Sequence, residues 1–140
     1  VIIEDLMLPK NYLGIHIRAG DKLSEDKIFS CDRFFEMLTT INTSCNDVFV
    51  LTDDYTIIED IQEKFYQFNI YTLCSSEERG YDNNIFQKQP SDYKKKELIK
   101  LFASIEILSK SDIFIGAYNS NVDIFISLKR DENTYFVDKI

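Results

Sequence analysis

A chain of 140 residues fits one domain and is long enough to bury a sizeable core. Its composition, 44 % hydrophobic and 29 % charged, is ordinary for a globular fold. The formal net charge of −8 argues against a sequence-independent nucleic-acid binder, whose affinity rests on a basic surface, but leaves room for a small basic pocket.

No apolar run approaches the roughly 20 residues that span a bilayer, so no membrane contact is expected from this segment. The opening residues, VIIEDL, lack a basic n-region and a long apolar core, so they do not read as a signal peptide. They also lack an initiator Met, and the chain is expected to be part of a longer one. The compartment stays open: a Golgi or secretory lumen and the cytoplasm both fit. Cys31, Cys45 and Cys74 show neither CxxC nor Cys/His spacing, and His16 is the sole histidine. A zinc site is therefore not expected, and the cysteines read as reduced or buried.

Strand and helix patterns alternate along the chain. Residues 12–18 (YLGIHIR) read as a first strand, nearly continuous in apolar residues as a parallel strand covered on both faces should be. Residues 30–41 place Phe34, Phe35, Leu38 and Ile41 at helical spacing, with Ser30 as N-cap. Residues 47–52 (DVFVLT) form a second, β-branched strand. Residues 54–65 read as a helix with Ile57, Ile58, Ile61 and Phe65 on one face. Residues 69–73 (NIYTL) are a third strand.

Residues 74–90 break the pattern and read as a long polar loop. Ser91 or Asp92 then caps a helix running to Lys110, with Leu98, Leu101, Phe102, Ile105 and Leu108 turned to the core. A fourth strand (112–117), a helix (119–129) and a fifth strand (134–137) close the chain. The alternation predicts an α/β fold: one Rossmann-like three-layer domain over residues 1–140, with a mainly parallel sheet of about five strands and right-handed crossovers.

In such a sheet the carboxyl ends of the strands share one edge, where ligands of open α/β folds bind. Three polar clusters fall there. The first is His16, Arg18, Asp21 and Lys22. The second is Thr52, Asp53 and Asp54. The third is Tyr118, Asn119, Ser120 and Asn121, at a helix start that offers backbone N–H groups to an anion. A guanidinium that can take two phosphate oxygens, a lysine and a helix N-terminus suit a phosphate compound; the carboxylates suit ribose or base donors.

Each element also has a structural reading. Arg18 could pair with Asp21 or Asp53, and Asp53 and Asp54 could be an N-cap and a first-turn acid. Asn119 and Ser120 could be ordinary caps, and His16 a satisfied core histidine. No GxGxxG, Walker or Gly-x-Ser-x-Gly motif occurs, so ordinary dinucleotide, P-loop and esterase sites lack their signatures.

Residues 14–22 (GIHIRAGDK) resemble the His-x-Arg-x-x-Asp-Lys motif of the fucosyltransferase superfamily, which includes the α-1,6, nodulation, α-1,2 and protein O-fucosyltransferases. Residues 48–54 (VFVLTDD) resemble that family's strand ending in Thr-Asp-Asp. Residues 108–122 (LSKSDIFIGAYNSNV) resemble its third motif, SxADxxVxxxxSxV. The three occur in order, the resemblance covers residues 13–128, and the α-1,6 type is the nearest match. It implies the C-terminal half of a GT-B fold that binds GDP-fucose as donor substrate, with no metal and no cofactor, and transfers fucose with inversion to a glycan or glycoprotein hydroxyl.

On that resemblance Arg18 would hold the β-phosphate, His16 and Asp21 would shape the turn, and Lys22 would add charge. Asp53, with Asp54 beside it, would lie on the guanosine side, and Ser120 with neighbouring amides at Tyr118, Asn119 and Asn121 would bind phosphate. Asp26, or its neighbour Glu25, would be the base for the acceptor hydroxyl. An N-terminal acceptor domain would lie outside this chain. Two positions depart from the family: Ala19 stands where many relatives have a second arginine, and Ser104 where they have an acid. Those departures suit an alternative, a non-catalytic sugar-nucleotide-binding or structural descendant within a larger protein.

Overall fold

The LGIHI run forms β1 (Leu13–Ile17), buried at every position as a central strand covered on both faces must be. The computed structural model describes residues 5–18, 31–41, 44–80 and 83–138. After β1 come α1 (Cys31–Thr40), β2 (Asp47–Thr52), α2 (Tyr55–Lys64), β3 (Asn69–Tyr71) and α3 (Asn83–Gln87). Then follow α4 (Ser91–Ser109), β4 (Ile113–Gly116), α5 (Asn121–Leu128) and β5 (Thr134–Phe136). The five strands form one sheet in the order β3-β2-β1-β4-β5, and every pairing is parallel. Leu13 of β1 lies opposite Val48 on one side and Ile113 on the other. This is the α/β, Rossmann-like fold expected from the alternation of patterns.

Successive strand residues face opposite sides, and the two faces build two cores. Leu13, Ile15 and Ile17 join Val48 and Val50 under Phe34, Phe35 and Leu38 of α1 and Ile58 and Ile61 of α2. On the other face Phe49 and Phe114 pack with Ile105, Ile107 and Leu108 of α4 and Ile126 of α5. Gly14 leaves room for the end of α4 and the residues after it: a Cβ there would lie 2.7 Å from Leu108 Cδ2 and 2.8 Å from Ser111 Oγ. His16, two residues on, belongs to this second face.

Strands and expected helices alike end within a residue or two of their expected limits, while the caps and the faces of the helices differ more. α4 begins at Ser91 with Pro90 at the N-cap and no side-chain cap, so neither Ser91 nor Asp92 caps it. Leu98 and Phe102, expected to face the core, are 45 % and 64 % exposed, whereas Ser104, Ile105, Ile107 and Leu108 are buried. The cause is length. A 19-residue helix runs about 28 Å, while a five-residue strand runs only about 16 Å, so the first turns of α4 extend past the sheet. The expected loop at 74–90 contains the short α3. Ser30 lies outside the described residues.

The C-terminal carbonyls of α4, which have no partners within the helix, are taken up from elsewhere. The Tyr12 hydroxyl donates to Ile107 O at 2.6 Å, and Arg130 Nη1 donates to Leu108 O at 2.9 Å and to Ser109 O at 3.3 Å, and beyond the helix to Ser111 O at 2.7 Å. Burial, reinforced by the nearby Asp112 carboxylate, pushes the Tyr12 phenol up to about 12. The unfolded chain then loses this proton near pH 10 while the folded chain keeps it, so stability falls as pH rises from 10 to about 12. Urea midpoints between pH 9 and 12 should decline more steeply for the wild type than for Tyr12→Phe. Parallel curves for the two proteins would contradict this assignment.

None of the cysteines is in a disulfide, and Cys31 is buried. Burial, with Glu78 alongside, holds the Cys74 thiol well above the usual thiol range. Among the described residues no helix is long and apolar enough to cross a membrane.

Candidate functional site

In the order β3-β2-β1-β4-β5 the chain reverses its direction of travel between β1 and β4, which makes the carboxyl ends of these two strands the switch point at which open α/β sheets form their ligand crevice. The chain leaving β1 enters this crevice with Arg18, and the chain leaving β4 passes through Ala117, Tyr118 and Asn119 to α5. Arg18 is half-buried, and among the described residues it pairs with no carboxylate, Asp53 included. A charged fork at a strand end, without an internal partner among those residues, is suited to an external anion.

The two lips of the crevice are joined by Asp123, on the first turn of α5. Its carboxylate is 1 % exposed and uses both oxygens. Oδ1 is hydrogen-bonded to His16 Nδ1, across 107 residues of sequence, and Oδ2 accepts from the Ala117 N–H at 2.7 Å. Gly116 makes this possible, because a Cβ there would meet Asp123 Oδ2 at 2.7 Å. Ser120 is the N-cap of α5, and its buried side chain accepts from the Asp123 N–H at 3.4 Å. Thus His16, Ala117 and Ser120 all converge on one acid.

Asp123 was not among the expected site residues. The signal for it was local: Ser120-Asn-Val-Asp123 has the spacing of a capping box, in which the acid reaches back to the N-cap amide. Here the serine half of the box forms. The acid turns instead to His16 and Ala117, a partner choice made by tertiary contact.

The amides before α5 are also engaged. Asp138, just past β5, accepts from the Tyr118 N–H at 2.6 Å and from the Asn119 N–H at 3.0 Å. Two adjacent N–H groups bracketing a carboxylate form an anion-binding geometry, and Asp138 is the anion that sits in it. The Asn121 and Val122 amides, in the first turn of α5, have no carbonyl within the helix to accept from them. Tyr118 itself is 54 % exposed, with its ring edge-on to Phe136 at 5.4 Å. Asn121 is exposed.

The second expected cluster is built as a helix start. Asp54 is the N-cap of α2 and accepts from the Thr56 N–H at 2.9 Å. Thr52 is buried, and the Asp53 carbonyl accepts from the Gly80 N–H at 2.8 Å, which fastens the segment before α3 to the sheet edge. Asp54 is therefore the N-cap, one residue after the Asp53 expected there, and no acid stands in the first turn of α2. Asp53 stands one residue beyond Thr52, which pairs with Ile17 next to Arg18. Asp21, Lys22, Glu25 and Asp26, and Ala19 with them, lie outside the described residues.

No family model matches the chain, and no curated protein matches it significantly. Among solved structures it is similar to a crystal structure of POFUT1 in complex with GDP, with 15 % sequence identity and a TM-score of 0.57. The match takes in 99 % of this chain and 48 % of that one, so the chain spans about half the length of that protein. At this identity the likeness shows the fold.

Proposed function

We propose that this chain is the donor-nucleotide domain of a fucosyltransferase-like glycosyltransferase, binding a GDP-sugar at the crevice between the ends of β1 and β4. The observation that carries the reading is Arg18 at this switch point: a guanidinium that pairs with no carboxylate among the described residues, on a lip joined to the start of α5. The three ordered motifs of the sequence and the fold shared with a protein solved in complex with GDP support the same ligand.

In this reading the diphosphate lies against Arg18 and the first turn of α5, Tyr118 offers an exposed ring beside it, and Asp53 is within the ribose and base side. Transfer breaks the bond between the sugar's anomeric carbon and the β-phosphate oxygen, and GDP leaves with the electron pair. Arg18 then counters charge where it develops, which is a large catalytic contribution. The acceptor hydroxyl attacks from the opposite face and loses its proton to a base, assigned from the sequence to Asp26 or Glu25. No metal is required in this scheme. The acceptor, a glycan or glycoprotein, would be selected by residues beyond this chain.

A second reading has a specific observation in its favour. Asp138 already fills the Tyr118 and Asn119 amides, and Ser104 is buried where the resembling family has an acid. A domain that retains the fold without donor turnover would look the same. Calorimetric titration with GDP, GDP-fucose and UDP, without metal, tests the leading reading. Saturable binding of the two guanosine ligands and not of UDP is expected, tighter in Asp138→Ala because two amides are released. A folded chain that binds none of the three contradicts it.

A further inference from the structure

We infer that Asp123 is a positioning residue for the crevice: it fixes the ring of His16, the chain's sole histidine, with its proton on Nδ1 and Nε2 left for the ligand side. An ionised carboxylate has no hydrogen to give, so its bond to Nδ1 requires that nitrogen to carry the proton. The acid is nearly sealed from solvent, and its second oxygen is committed to the Ala117 amide, so it has one orientation rather than several.

Nε2 has no partner among the described residues, and no buried side-chain nitrogen or oxygen among them lacks one. Nε2 is therefore not closed into the core. The ring keeps 9 % of its side-chain surface exposed, and its chain neighbour two residues on is Arg18. A ring fixed at this point sets both the tautomer and the place of the nitrogen that borders the anion crevice, in the way that outer partners orient histidines in metal sites.

The inference for the ligand rests on the proposed nucleotide reading; the inference for the ring does not. The test uses Asp123→Asn, which keeps the shape of the side chain. Its amide oxygen can still accept from Ala117 N–H, while its NH2 now points at Nδ1. An NH2 group donates, so Nδ1 must become the acceptor and the proton must move to Nε2. Long-range 1H–15N correlation spectra of the single imidazole report this directly. The wild type should show a protonated Nδ1, and Asp123→Asn the Nε2–H tautomer with cooperative thermal unfolding retained. GDP affinity should change by about tenfold in the variant, because the nitrogen facing the ligand turns from acceptor to donor, the scale on which loss of a histidine's orienting partner acts in metal sites.

A wild-type ring protonated on Nε2 alone overturns the assignment. GDP binding that is the same in the two proteins, despite the exchanged tautomer, overturns the positioning role and leaves the nucleotide reading standing. A wild type with the Nδ1 proton but no affinity for GDP overturns the nucleotide reading and the ligand half of this inference, while the ring geometry survives.

Discussion

Phe35→Ala is expected to remove about 3–5 kcal/mol of folding stability, a large part of the roughly 5–15 kcal/mol available to a domain. Phe35 is 1 % exposed and faces β1 and β2 from α1. Its ring stacks on Phe65 with centroids 4.7 Å apart, and meets Phe68 edge-on at 5.2 Å. Phe65 is the C-cap of α2 and Phe68 immediately precedes β3, so one side chain ties α1 to the turn between two other elements. Truncation loses the burial of the ring, leaves a cavity bounded by a fixed sheet, and removes aromatic pairs that add about 0.5–1.5 kcal/mol each. Urea unfolding measures the loss. Phe35→Leu, which refills most of the volume, should recover more than half of it, and a loss below about 1 kcal/mol in Phe35→Ala would contradict the packing described.

The second large effect is functional and leaves stability untouched. Arg18→Ala should weaken GDP binding by about 30- to 150-fold, equivalent to about 2–3 kcal/mol for charge-assisted hydrogen bonds to phosphate. The same variant should unfold within about 0.5 kcal/mol of the wild type, because Arg18 is only half-buried and pairs with no carboxylate among the described residues. That separation distinguishes a ligand-facing arginine from one that braces the fold. Arg18→Lys should recover part of the affinity, since it keeps the charge and loses the two-pronged geometry. A variant that binds GDP as the wild type does, or that loses affinity only by unfolding, would place the phosphate contact elsewhere.

The strands were legible because their chemistry is local. Apolar runs at β1, β2 and β4 demand burial, the Thr and two aromatic residues of β5 favour an extended edge strand, and their order with the helices demands a parallel sheet. The first half of α4 is not legible in the same way, because periodicity reports which residues share a face, not how much of that face finds a partner. Leu98 and Phe102 share a side with Ile105, yet the sheet ends before reaching them. α3 leaves no such mark, because Asn83–Gln87 is short and has no apolar period.

At the crevice, His16, Arg18 and Ser120 stood out from the sequence because strand ends and helix starts are marked locally. Asp123 and Asp138 did not. An acid three residues after a serine cap looks like half of a capping box, and an acid near the chain end looks like surface. What gives each its role is a partner distant in sequence: His16 for Asp123, and the Tyr118 and Asn119 amides for Asp138.

The central claim is a place: that a guanosine diphosphate binds where β1 and β4 part. Amide chemical-shift mapping of the 15N-labelled chain during GDP titration tests it most directly. The account predicts saturable shifts concentrated at residues 16–18 and 116–122, with the Asp138 amide following as its carboxylate is displaced or crowded. Shifts centred on the opposite sheet edge, around Ser111 and Arg130, or no shifts at all in a folded chain, would contradict it.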